Sequence, residues 1–114
     1  MSGGAERGML ALTQEPRIRT AVLAEAGFNS RHNPPEIDGI NFAPRVRIPI
    51  LMLNGRYDFG RPLESYQLPM FRALGTPSKD KRHVLFESGH ATPTQLYIKE
   101  VLDWFDLYLG PVDK

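Results

Sequence analysis

The sequence predicts an α/β fold with three mostly parallel strands alternating with helices, and three observations carry that expectation. Residues 49–54 read Pro-Ile-Leu-Met-Leu-Asn, a continuous apolar run between Pro49 and Gly55 that suits a strand buried on both faces. Residues 83–87, His-Val-Leu-Phe-Glu, repeat the pattern just before Ser88 and Gly89. Stretches of helical spacing stand between and after these runs. Strands that alternate with helices imply βα units, and right-handed crossovers then give a parallel sheet covered on both faces.

Each element has its own local cause. Ala5, Met9, Leu10 and Leu12 make residues 4–14 a short helix, which Glu15-Pro16 ends because proline disfavours helical geometry in the residue before it. Residues 20–25 form a brief β-capable run closed by Gly27, and the polar, proline-bearing stretch 29–38 makes a long loop. After the second strand, Leu63, Tyr66, Met70, Phe71 and Leu74 recur at helical spacing over residues 62–74, with Gly75 as the C′ residue and Pro77 beyond. Pro69 removes a backbone donor in the middle, so a kink or two short pieces are expected there. The last helix has Thr92 as N-cap, Pro93 at its first position and an apolar stripe of Ile98, Val101, Leu102, Phe105 and Leu109, until Gly110-Pro111 stops it.

The 114 residues suffice for one core and not two. Yet three strands buried on both faces want neighbours, and helices of this length do not cover them. The pattern therefore predicts that residues 1–114 are a partial domain, the back half of a larger α/β unit, with a free sheet edge open to self-association.

Composition excludes several classes of function. A net charge of +1 with no dense Lys/Arg cluster leaves no footprint for nucleic acid or anionic membrane. The absence of Cys removes disulfide frameworks, thiolate zinc sites and cysteine nucleophiles. The longest apolar run, residues 48–53, is far short of the roughly 18 residues of a membrane helix. The first residues lack the apolar stretch and basic prefix of a signal peptide, so a cytoplasmic location is expected.

In a parallel α/β sheet, reactive groups gather just past the carboxyl ends of strands. Asn54-Gly55-Arg56-Tyr57-Asp58 places a carboxylate after the second strand, and Ser88-Gly89-His90 places an imidazole after the third. A carboxylate that holds the Nδ1 proton of His90 leaves Nε2 free as a general base, needing only a nucleophile. Met1-Ser2-Gly3-Gly4 matches the last four positions of the G-x-S-x-G nucleophile elbow, and the chain order Ser2, Asp58, His90 is the order Ser, acid, His.

Plainer readings stand beside these. Asp58 could be a turn-forming Asp, His90 an exposed loop histidine and Ser2 an ordinary residue behind a start codon. His83 lies in a strand and reads as structural, and His32 as a solvated loop residue. The three histidines share no metal-ligand spacing, and Gly3-Gly4 lacks the Lys-Ser/Thr of a phosphate loop, so neither metal nor cofactor is expected.

Ser2-Gly-Gly, the run Glu15-Pro-Arg-Ile18, residues 48–58, residues 81–90 and Val101-Leu-Asp-Trp-Phe-Asp106 together resemble the C-terminal portion of an α/β-hydrolase. The similarity is to the dienelactone-hydrolase and prolyl-oligopeptidase-like serine hydrolases. It implies Ser2 as nucleophile, Asp58 as orienting acid, His90 as general base and the Gly3 N–H as an oxyanion donor. It further implies hydrolysis of a small-molecule ester or peptide-like substrate through an acyl-enzyme, with the front half of the sheet absent. The alternative, from a different class, is a non-catalytic fragment or a half-domain that works only with its missing N-terminal half.

Overall fold

The computed structural model describes residues 9–25, 42–58, 63–90 and 94–110. The elements are α1 (Met9–Gln14), β1 (Ala21–Ala24), a 3₁₀ turn (Ala43–Arg45), β2 (Ile50–Gly55), a π-helical turn (Leu63–Gln67) running into α2 (Leu68–Ala73), a second 3₁₀ turn (Ser78–Asp80), β3 (Lys81–Phe86) and α3 (Thr94–Leu109). The three strands form one parallel sheet in the order β1-β2-β3.

β2 is the central strand, and all six of its residues are buried. Side chains alternate across a strand, so its apolar run serves two cores at once. Ile50 and Met52 join Leu23, Val46, Met70 and Leu74 on one face. Leu51 and Leu53 face the other way, against Trp104 of α3. Burying such a side chain fully is worth about 1.5–3 kcal/mol. The continuous hydrophobicity of residues 50–53 is therefore the direct trace of a sheet covered on both sides.

The final helix lies on the second face by a stripe that keeps Val101 and Phe105 of the expected one and is rotated away from the rest. Tyr97, Val101, Trp104, Phe105 and Tyr108 pack towards the sheet. Ile98, Leu102 and Leu109 of the expected stripe are exposed, Leu102 at 58%. The seam is rotated because Trp104 is the bulkiest group on the helix and carries a donor that must be satisfied. Its Nε1–H donates to Thr20 Oγ1 at 2.9 Å, and the Thr20 hydroxyl donates to the Pro49 carbonyl at 2.8 Å. Tyr108 adds a hydrogen bond to Asp80 Oδ1 at 3.0 Å. The expected N-cap Thr92 and Pro93 lie outside the described residues.

The expectation of two short pieces around Pro69 holds. Pro69 sits in the first turn of α2, directly after the change from π-helical to α-helical winding. Gly75 follows the C-cap Leu74 as the expected C′ residue, but not for the usual conformational reason. Its φ is not in the left-handed region, and it is needed for close approach instead: a Cβ there would lie 2.1 Å from the Pro44 carbonyl oxygen. The end of α2 is covered by Lys81, whose Nζ donates to the carbonyls of Phe71 and Leu74 at 2.8 and 3.2 Å. The helical expectation for residues 4–8, and the loop over 29–38, lie outside the described residues. Among the described residues no helix is long and apolar enough to cross a membrane.

His83 lies within β3 rather than at its start, and it is a structural histidine. Its Nε2–H donates to Oδ1 of the buried Asn54 at 2.9 Å, and its ring stacks on Phe71 with centroids 5.4 Å apart. Burial disfavours the charged form and pushes its pKa down from 6.5 to about 4. The unfolded chain therefore takes up a proton on lowering the pH before the folded chain does. The stability that neutral His83 provides is present above pH 6.5 and is lost as the pH falls from there through about 4. The midpoint of urea unfolding should fall across that window, and less steeply in His83→Gln. Equal pH slopes for the two proteins would show that His83 protonates as readily folded as unfolded.

Candidate active site

The site grows out of the shared end of β2 and β3. Their parallel register runs from Ile50 opposite Lys81 to Gly55 opposite Phe86, so both strands stop at the same level. Pairing continues past the ladder: the Arg56 N–H donates to the Phe86 carbonyl at 2.8 Å, and the Tyr57 N–H to the Ser88 carbonyl at 3.0 Å. The two loops thus leave the sheet side by side. A Cβ on Gly55 would lie 1.8 Å from the Gly89 carbonyl oxygen and 2.4 Å from that of Ser88. The loop bearing His90 crosses directly over Gly55, in space that any side chain would take.

The π-helical turn supports the same spot. Gln67 is buried, and its Nε2–H donates to the Gly55 carbonyl at 3.0 Å. A turn of this kind interrupts the regular helical hydrogen-bond ladder and often marks a functional region. Here it lets an amide side chain brace the strand end on which the site is built.

Asp58 turns inward at the end of the β2 loop and is only 2% exposed. Its Oδ2 accepts the Nδ1–H of His90 at 2.6 Å, a short bond of the charge-assisted kind. Nδ1–H donation fixes the tautomer of the neutral ring and leaves the Nε2 lone pair free. The His90 side chain is 40% exposed, so that nitrogen is within reach of a substrate. One ring edge is held by a buried carboxylate and the other is open: this arrangement can take a proton from an incoming group and return it to a departing one. An exposed pair, Arg56 Nε with Glu87 Oε1 at 3.2 Å, flanks the loops and contributes little to stability.

A third strand end contributes a residue that sequence reasoning missed. Glu25 follows β1, its N–H donates to the Leu53 carbonyl at 2.8 Å, and its Oε2 lies 3.6 Å from His90 Nε2. The available signal was a charged residue at the carboxyl end of the first strand, just where the rule of strand ends would look. Asp58 and His90, placed by sequence on neighbouring loops, are brought together. Ser2 and Gly3 lie outside the described residues.

The geometry has counterparts among solved structures. The zinc-bound structure of a cold-adapted esterase from an Arctic intertidal metagenomic library matches 95% of this chain with a TM-score of 0.75 and 27% identity, over 46% of the esterase chain. The fold is that of the C-terminal part of an α/β-hydrolase. An acetyl xylan esterase from Paenibacillus sp. R4 shares the hydrolase fold at TM-score 0.75 and 16% identity, over 94% of this chain and 43% of its own. A monoacylglycerol lipase from Paleococcus ferrophilus does so at TM-score 0.70 and 15% identity, over 94% and 66%. The chain thus spans less than half the length of the two esterases. No family model matches the sequence, and no curated protein does.

Within this hydrolase fold, Gly55 has no room for a side chain. Gly55→Ala drives a methyl group into backbone, and overpacking of this kind costs about 1–3 kcal/mol. Urea unfolding should show that loss. In the folded fraction the His90 ring resonances should shift, because the 88–90 loop has to retreat. An Ala variant of unchanged stability and unchanged His90 resonances would contradict the contact between the two loops.

Proposed function

We propose that this chain carries the catalytic groups of a serine hydrolase acting on an ester or related acyl bond through an acyl-enzyme. The observation that carries the reading is the 2.6 Å contact between His90 Nδ1 and the buried Asp58 carboxylate, with Nε2 left open. The likeness to an esterase at 27% identity supports the same chemistry. The substrate class is a small-molecule ester, or a peptide-like compound with an activated acyl bond.

In this proposal Ser2 is the nucleophile. His90 Nε2 takes the Ser2 hydroxyl proton as Oγ attacks the carbonyl carbon, and the resulting oxyanion is held by the Gly3 N–H. The imidazolium then gives its proton to the leaving oxygen as the C–O bond breaks. Water enters by the same route: His90 takes its proton, the hydroxide attacks the acyl carbon, and Ser2 Oγ departs with the proton returned. Asp58 keeps the ring in the productive tautomer and stabilises its positive charge without itself taking the proton. A second reading rests on the chain spanning 46% of the cold-adapted esterase. In it the chain is a half-domain that supplies acid and base to a site completed by another polypeptide.

A fluorophosphonate probe decides between them, because it reacts only with an activated serine. The proposal expects labelling on Ser2 that vanishes in Ser2→Ala and in His90→Ala and slows by about 10⁴ in Asp58→Asn, where the tautomer is lost. Labelling of a different serine would reject Ser2 as nucleophile. An unlabelled but folded wild-type chain would reject autonomous catalysis in favour of the half-domain.

A further inference from the structure

Glu25 is unusual in its backbone as well as its position. Its φ is +59°, and among the described residues no other non-glycine residue has a positive φ. Glu gains nothing locally from the left-handed region, which Gly, Asn and Asp occupy more readily. Strain of this kind persists where the surroundings hold it, and it gathers at functional sites. Here the conformation is held by the Glu25 N–H bond to Leu53, and the side chain ends up against His90 while only 13% exposed.

The imidazole therefore has a carboxylate at each edge. Asp58 accepts the Nδ1–H, while Glu25 Oε2 lies 3.6 Å from Nε2, too far for a hydrogen bond. The three groups come from the ends of three adjacent strands, β1, β2 and β3. Any atom that exchanges a proton with Nε2 must come within about 2.6–3.2 Å of it. Such an atom sits beside the Glu25 carboxylate as well.

We infer that Glu25 is a specificity-determining residue whose carboxylate selects the charge of the group presented to Nε2. It favours esters whose leaving group carries a hydroxyl or ammonium donor, such as those of polyols and amino alcohols, and it disfavours groups bearing a carboxylate. The inference rests on His90 being the proton-transferring group of the proposed reaction. Two like charges about 6 Å apart near a protein surface repel enough, after screening, for roughly tenfold discrimination.

The test reads charge selection at Nε2 without needing turnover or Ser2. The full chain is alkylated in parallel with neutral iodoacetamide and anionic iodoacetate, and modification of His90 is quantified by peptide mass spectrometry against N-acetylhistidine. The rate ratio of iodoacetamide to iodoacetate at His90 should exceed that of N-acetylhistidine by roughly tenfold. It should fall several-fold in Glu25→Gln and stay high in Glu25→Asp. If Glu25→Gln does not fold, by circular dichroism, Glu25→Asn removes the charge with a residue suited to the same backbone. An unchanged ratio in a folded variant lacking the charge overturns the inference, as does a His90 that neither reagent reaches. Charge selection without fluorophosphonate labelling would keep Glu25 as the charge selector at Nε2 and reject autonomous catalysis alone.

Discussion

The parallel pairing of β2 with β3 is the constraint on which the rest of the site depends. Because Gly55 stands opposite Phe86, the two strands end together and their loops emerge in contact. Backbone bonds from Arg56 and Tyr57 extend that pairing into the loops. A register slip of one residue would turn Ile50 and Met52 from one core to the other and would separate Asp58 from His90. The same hydrogen-bond ladder thus specifies the two cores and the two polar side chains.

Placing Asp58 inside the protein is costly unless its charge is met, since a buried carboxylate loses its hydration. The short bond from His90 offsets part of that loss. The burial also gives direction: the carboxylate meets the imidazole from inside the protein, so the ring is held at its Nδ1 edge while its Nε2 edge faces outward. Gln67 and Gly55 act one step further out, the first by bracing a strand end and the second by being small enough for the His90 loop to cross. Glu25 completes the surroundings from the third strand end and makes the open edge of the ring electronegative.

Much of this was legible in the sequence, for physical reasons that differ by element. The unbroken apolar run of β2 announces burial on both faces, and it places the loops that follow at the carboxyl end of a parallel sheet. Asp58 and His90 could be read from that rule because each lies a few residues past such a strand. The helix α3 was legible in extent but not in orientation. Its leucines and isoleucine suggested one stripe, while the need to satisfy the Trp104 indole N–H with Thr20 turned the helix to another. Gly75 could be read as the residue past the C-cap of α2, but its close approach to Pro44 could not, since steric proximity between distant segments leaves no local sequence pattern. Glu25 escaped notice because a lone acidic residue ending the β-capable run 20–25 carries no sign of its partner until the sheet order sets it beside His90.

The site turns on the buried Asp58, which holds His90 through its Nδ1 proton and leaves Nε2 to do chemistry. The most direct measurement is proton NMR of the folded chain in the far-downfield region, with nitrogen labelling to assign the histidine ring protons. His90 Nδ1–H should give a downfield resonance that disappears in Asp58→Asn while the fold persists. A folded wild-type chain lacking that resonance, or one that retains it after Asp58 is replaced, would contradict the bond from His90 to Asp58.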